Sequence, residues 1–262
     1  NTVGDLACDL FPGGREIPFK GTTFSQKITL TQEWLNEGLN DIYEATFEYD
    51  GVLVMVDVLH KKSNGSFEIY EVKSSTEAKD IFRHDASIQY YVLNGLGYDV
   101  SDVYITILNT DYIRGDELDV RQLFTHVKVT DDVLALQGDI PATLGKFRET
   151  LTDRVNEPDI DIGRHCKKPY PCDAIDYCWK QQRNIPEYSV FNIFQMNKNP
   201  KSVQLYKDGI VAVEDIPDTM KLTDIQQHKV AVWKAQRPVI NKDAIKSFID
   251  SISYPIYHFD FE

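Results

Sequence analysis

Apolar positions along this chain change period twice, and each change marks a change of element. Over Asn1–Phe11, the residues Val3, Leu6, Ala7, Leu10 and Phe11 recur at helical spacing and stop at Pro12-Gly13-Gly14, a strong breaker. A second short helix is expected with Thr29 as its cap, Gln32 three residues on, and Trp34, Leu35 and Leu39 buried. From Tyr43 the composition turns β-branched and aromatic. Tyr43–Tyr49, Val52–Leu59 and Phe67–Lys73 read as strands. Asp50-Gly51 and Asn64-Gly65 lie between them, so the three form an antiparallel meander. Ala78–Leu96 then returns to helical spacing through Ile81, Ile88 and Val92 and ends at Gly97. Val103–Leu108 is a fourth strand. The order helix, three meander strands, helix, strand predicts an α/β layered core.

Beyond Asp111 the pattern is mixed. Asp116–Asp119 is an acidic stretch, Thr143–Val155 reads as helix, Val190–Leu222 as short helices with turns, and Asp243–Ile252 as another helix. The α/β core therefore carries a mostly helical C-terminal extension. Tyr257–Glu262 alternates like a strand, with Asp260 and Glu262 on one face. No internal repeat is present.

Composition narrows the class. With 262 residues, 42% hydrophobic and 26% charged, the chain is sized for one or two domains at about 150 residues each and is not disordered, collagenous or coiled coil. The longest aliphatic run, Val52–Val56, is far short of the roughly 20 apolar residues that span a bilayer. No secretory leader opens the chain, so a cytoplasmic location is expected. It starts at Asn1 rather than Met and reads as part of a longer polypeptide. A net charge of −13 counts against bulk, non-specific nucleic-acid binding and leaves room for a local basic groove.

Three places hold candidate chemistry. Asp57 interrupts the apolar strand Val54-Met55-Val56-Asp57-Val58-Leu59, where a carboxylate is costly unless paired or bound to a cation. Glu71 and Lys73 project from one face of the next strand, so Asp57 can stand beside Glu71. Two carboxylates with an adjacent lysine suit a magnesium-dependent phosphodiesterase, in which the ion activates water and the lysine assists. The competing reading is a solvated Glu71–Lys73 pair on an open sheet face, since E-x-K recurs by chance. The following helix carries Lys79, Arg83, His84, Asp85 and Gln89, with Asp85 and Gln89 on one face that either meets the site or faces solvent.

Cys166, Cys172 and Cys178 are spaced C-x5-C-x5-C, which suggests a metal or cluster more than disulfides, though not a common zinc-finger spacing. Cys8 is either a fourth ligand or a buried helix residue, and His165 either a ligand or solvated. Lys167, Lys168, Lys180 and Arg183 either line a DNA path or form a solvated charge cluster.

Asp57, Glu71-Val72-Lys73 and Gln89-Tyr90-Tyr91, on strand, strand and helix, resemble the PD-(D/E)XK nucleases of the RecB-like type. The whole chain resembles more closely an uncharacterised bacterial family that joins such a core to a DEDD-type exonuclease domain. The resemblance implies a nuclease core over residues 1–160, a cysteine-rich staple over 161–185, a helical extension over 186–254, and the start of a truncated exonuclease domain over 255–262. It makes Asp57 and Glu71 ligands of Mg2+ or Mn2+, Lys73 the catalytic lysine, and Gln89 and Tyr91 part of a motif near substrate. Glu44 matches a family position as a helper ligand or a support behind the ligands. Many relatives of this type carry a histidine ligand on the first helix; here Gly4 stands near that position, which leaves the site one ligand poorer.

Cys166, Cys172 and Cys178 resemble the C-terminal half of a [4Fe-4S] staple found in some RecB-like nucleases, including the CRISPR-associated one that prepares spacers, and fit Zn2+ less well. In the resembling family the fourth cysteine lies upstream of the opening helix. Asp260 and Glu262 resemble the opening D-x-E of a DEDD-type exonuclease, a motif that makes no site without its other acidic residues. The expected function is metal-dependent hydrolysis of DNA, single-stranded or with free ends. The alternatives are a nucleic-acid-binding module weak or inactive in catalysis, and a structural iron–sulfur or zinc domain acting through protein partners.

Overall fold

The computed structural model describes residues 2–194 and 201–259 and separates into two compact units, 1–158 and 159–262. The first unit is an α/β fold. Its elements run α1 (Thr2–Cys8), β1 (Arg15–Glu16), α2 (Phe24–Asn36), β2 (Asp41–Tyr49), β3 (Val52–Lys61), β4 (Phe67–Val72), α3 (Asp80–Gly95) and β5 (Val100–Leu108). Then come α4 (Val120–Leu123), β6 (Phe124–Lys128), α5 (Thr130–Leu136) and α6 (Ile140–Thr152). The sheet is mixed and its strands lie in chain order, β1 to β6. β2, β3 and β4 form the expected antiparallel meander, while β4 and β5 are parallel and joined by α3. A parallel neighbour needs a crossover, and a helix of 16 residues supplies it.

The core lies between this sheet and its helices. Ile69, Val103 and Ile105 from β4 and β5 are fully buried against Ala86, Val92 and Leu93 of α3. The turns behave as their residues require. Asp50, Gly51 and Gly65 adopt positive φ, and Gly97 does so just beyond α3.

Several boundaries differ from expectation. The cap of α2 is Thr23, not Thr29: Gln26 N donates to Thr23 Oγ1, and the Gln26 side chain accepts from Thr23 N at 2.8 Å. Thr29 lies inside the helix, where its hydroxyl donates to Ser25 O at 3.0 Å. Two S/T-x-x-Q signatures stand six residues apart, and only the first precedes the buried stripe Lys27, Thr31 and Leu35. The helix expected over Thr143–Val155 is α6 and starts earlier, with Pro141 in its first turn, where a missing N–H costs nothing. β1, β6 and α5 were not anticipated. β1 has two residues, and β6 is an edge strand with Thr125, His126 and Lys128 exposed, so neither shows an alternating apolar pattern.

The second unit has no described strand. It contains one 3-10 turn at Arg164–Cys166, a π-helical turn at Tyr177–Gln181, α7 (Val190–Ile193), α8 (Lys201–Lys207), a 3-10 turn at Val213–Asp215, α9 (Asp224–Ala235) and α10 (Lys242–Asp250). Cys166 and Trp179 share its core with Val190, Phe191, Leu205 and Val230. Tyr257–Phe259 has no regular structure, so the expected terminal strand is absent there, and Asp260 and Glu262 lie outside the described residues. Among the described residues no helix is long and apolar enough to cross a membrane.

Capping energetics give a direct check on α2. Thr23→Ala is expected to destabilise the protein by about 1 kcal/mol, while Thr29→Ala changes stability much less. Urea unfolding midpoints of the two variants measure this, and the reverse ranking would contradict the assigned cap.

Candidate active site

The meander register places three carboxylates side by side. Tyr43 pairs with Val58 and Ala45 with Val56, so Glu44 stands opposite Asp57. Val58 pairs with Tyr70, and one step further Asp57 stands opposite Glu71. Glu44, Asp57 and Glu71 thus form a row across β2, β3 and β4. The β3–β4 ladder ends at the Val58–Tyr70 pair, and beyond it the Val72 backbone N–H donates to Asp57 Oδ2 at 2.7 Å. Glu44 has φ of 56° inside a strand and is skipped by the β2–β3 pairing. A non-glycine residue in the left-handed region is strained by about 1–3 kcal/mol and is held there by its surroundings.

Glu71 is 4% exposed and fully engaged. Lys73 Nζ lies 2.5 Å from Glu71 Oε1, and Gln89 Nε2 donates to Glu71 Oε2 at 2.5 Å. Lys73 reaches on to Asp85 Oδ2 at 2.8 Å. The polar face of α3 therefore meets the site, through buried Gln89 and through Asp85, which also remains exposed to solvent. Gln89 is buried too, and its Oε1 has no hydrogen-bond partner among the described residues.

Electrostatics follow from this crowding. Burial and then the neighbouring Asp57 charge push the Glu71 carboxyl up to about 8, against the pull of Lys73. Burial also raises Asp57, opposed by the Val72 N–H and Lys73. Glu44 is raised by burial, then by Asp57 and Glu16, with Lys27 acting the other way. Burial works against the Lys73 ammonium, but Glu71 and Asp85 outweigh it and hold the lysine charged.

Glu44, Asp57 and Val72 open on a cleft of about 760 Å³ that Gly4, Cys8 and Phe19 also line. Tyr43, from the same wall, donates to Phe11 O at 2.5 Å and lies 3.1 Å from Cys8 O, which ties the end of α1 and the turn after it to the sheet. Lys27 was missed by the sequence reading because it sits among polar helix positions. It is 3% exposed, its ammonium lies 4.7 Å from the Phe19 ring centre, and it pairs with no carboxylate among the described residues.

Tyr91 is placed elsewhere. Two residues from Gln89, it points away from the carboxylates, and its hydroxyl donates to Asp50 Oδ2 at 3.0 Å in the β2–β3 turn. Cys8 is a helix residue of the first unit. Its thiol donates to Gly4 O, and burial, then Glu16 and Asp5, push it up to about 11, away from the thiolate a metal needs. In the second unit Cys166 is buried and accepts from Gly163 N, Cys178 is half-buried and Cys172 is exposed. Lys180 pairs with Asp176 and Arg183 with Asp161, both at 2.9 Å, and Lys167 lies over the Trp179 ring. These basic side chains are thus committed to local contacts.

Among the described residues, no three His, Cys, Asp or Glu side chains are arranged to hold a metal ion. The three cysteines so placed do not fit a cluster. Asp57 and Glu71 stand side by side, both raised by burial and Glu71 by its neighbour's charge as well, and the buried Gln89 Oε1 beside them has no hydrogen-bond partner among the described residues. A magnesium-type ion, wherever one binds, asks for only one or two carboxylates and keeps several waters.

The raised acids set the sign of a pH dependence. Glu71 ionises at its ordinary 4.5 in the unfolded chain and near 8 when folded, so the folded state holds an extra proton across that interval. Stability in EDTA should therefore fall as pH rises from about 5 to about 8, and Asp57 and Glu44 act in the same sense. Thermal unfolding in EDTA should show this decline in wild type and a flatter profile in Glu71→Gln; parallel profiles would refute the assignment. Compared with protein-family models, with curated proteins and with solved structures, the chain matches none, and the chemistry of its site stands on its own geometry.

Proposed function

We propose that the first unit is a metal-dependent nuclease of the PD-(D/E)XK type that hydrolyses DNA phosphodiester bonds. The observation that carries this reading is the juxtaposition of Asp57 and Glu71 across neighbouring strands, with Lys73 Nζ 2.5 Å from Glu71 and with Asp57 and Glu44 lining a cleft. Asp57 and Glu71 would hold Mg2+ or Mn2+, which supplies an activated water and charge stabilisation at the phosphorus oxygens. Lys73, kept protonated by Glu71 and Asp85, presents a fixed positive charge to the attacked phosphate. Gln89 braces Glu71 from α3 and fixes the direction of its carboxylate. Glu44 adds negative charge on the far side of Asp57, and Phe19 forms an apolar wall of the cleft. Tyr91 takes no part in this arrangement.

A second reading, a nucleic-acid-binding module without turnover, draws support from Gly4. That residue lines the cleft where the resemblance would place a histidine ligand, and it has no side chain to offer.

The deciding assay follows end-labelled single- and double-stranded DNA with Mg2+ or Mn2+. Asp57→Ala and Lys73→Ala should each slow cleavage on the order of 100-fold or more while the fold is retained, and EDTA should abolish it. Tyr91→Phe should leave the rate unchanged. Cleavage that survives both Asp57→Ala and Lys73→Ala would place the chemistry elsewhere, and wild-type protein that binds DNA without cutting it would favour the second reading.

A further inference from the structure

The second unit holds a cavity of a different chemical character. It measures about 500 Å³ and is built largely on one stripe of α9, from which His228, Lys229 and Trp233 face it, with Tyr188 and Arg237 completing the wall. Positions 228, 229, 232, 233 and 236 recur at the spacing of a single helical face. Tyr188 stacks on Trp233 with ring centres 4.4 Å apart and planes inclined by 30°. Both rings are half-buried, and the indole N–H donates to Glu214 Oε1 at 2.7 Å, which fixes the plane of the tryptophan. Just past α9, Gln236 takes the left-handed conformation and donates to Trp233 O, so the chain turns and brings Arg237 to the rim.

The charge of this wall runs against the rest of the chain. The protein carries 41 acidic against 28 basic side chains, yet the cavity is lined by His228, Lys229 and Arg237 and by no Asp or Glu. Among the described residues neither Lys229 nor Arg237 is ion-paired, in contrast to Lys180, Arg183, Lys234 and Lys246, each of which has an acidic partner. Unpaired cations bordering a fixed aromatic stack match the two demands of a single-stranded nucleic acid, a face for the base and positive charge for the phosphates. The volume suits one nucleotide. The carbonyl end of α9 disfavours an anion only weakly, an effect confined to the last turn.

We propose that this cavity binds single-stranded DNA, stacking one base against the Trp233–Tyr188 pair and seating the adjoining phosphates on Lys229 and Arg237. The inference deepens the nuclease reading by adding a substrate contact. It rests on residues that take no part in the carboxylate row.

The test is a titration of the full chain with a fluorescent oligothymidylate about 12 nucleotides long, in EDTA so that nothing is cleaved. The double variant Lys229→Ala/Arg237→Ala should weaken binding at least tenfold and lower the slope of log Kd against log salt by about 1.4, or about 0.7 per phosphate contact. Trp233→Phe keeps a stacking face and should lose less affinity than Trp233→Ala. An unchanged Kd in the double variant, no binding by wild type, or equal displacement of the oligonucleotide by polyglutamate would each overturn the proposal. The two readings fail separately: binding lost in the double variant while wild type never cleaves rejects the nuclease reading alone, whereas wild-type cleavage together with normal binding by the double variant rejects the cavity alone.

Discussion

Burying like charges beside one another is the constraint around which the first unit is organised. Asp57 and Glu71 project toward each other from adjacent strands, and Glu71 is nearly sealed from water. An unpaired carboxylate in that position would neutralise itself or unfold its neighbourhood. Glu71 does keep its proton up to about pH 8; Lys73 and Gln89 oppose the burial by occupying both of its oxygens, and the Val72 N–H does the same for one oxygen of Asp57. The donors come from the end of β4 and from α3, while Asp57 stands on β3, so the site exists only while β3, β4 and α3 keep their relative positions.

That dependence explains much of the surrounding architecture. The parallel β4–β5 pair requires a crossover, and α3 as the crossover lies over the end of the meander where the β3–β4 ladder stops. One helical face carries Asp85 and Gln89 down to the site, while Ala86, Val92 and Leu93 bury themselves in the core. A single helix thus anchors itself by apolar packing and positions two polar groups with the same rigidity. Glu44 shows the cost of the arrangement: its backbone is held in a region that a glutamate does not favour, at the centre of the acidic row.

The second unit solves a different problem. Without a sheet among its described residues, it builds a core from short helices and turns, and aromatic contacts such as Trp179 with Phe191 at 4.6 Å do the work of longer elements. Cys166 serves that core as a small apolar side chain. Lys167, Lys180 and Arg183 near the cysteines are tied to neighbours, whereas Lys229 and Arg237 beside Trp233 have no acidic partner among the described residues.

Local pattern determined a good deal of this protein. The three meander strands, their Asp50-Gly51 and Asn64-Gly65 turns, the helix ended by Gly97 and the suspicion attached to Asp57 are all legible because period, turn chemistry and a charge in an apolar strand are properties of neighbouring residues. Tertiary structure decided the rest. That Glu44 joins the row depends on strand register, that Tyr91 leaves it depends on the 100° step of a helix, and that Lys27 is buried depends on where Phe19 comes to lie. The edge strands β1 and β6 and the cationic wall beside Trp233 are likewise products of long-range pairing and packing. No window of sequence contains the partners that create them.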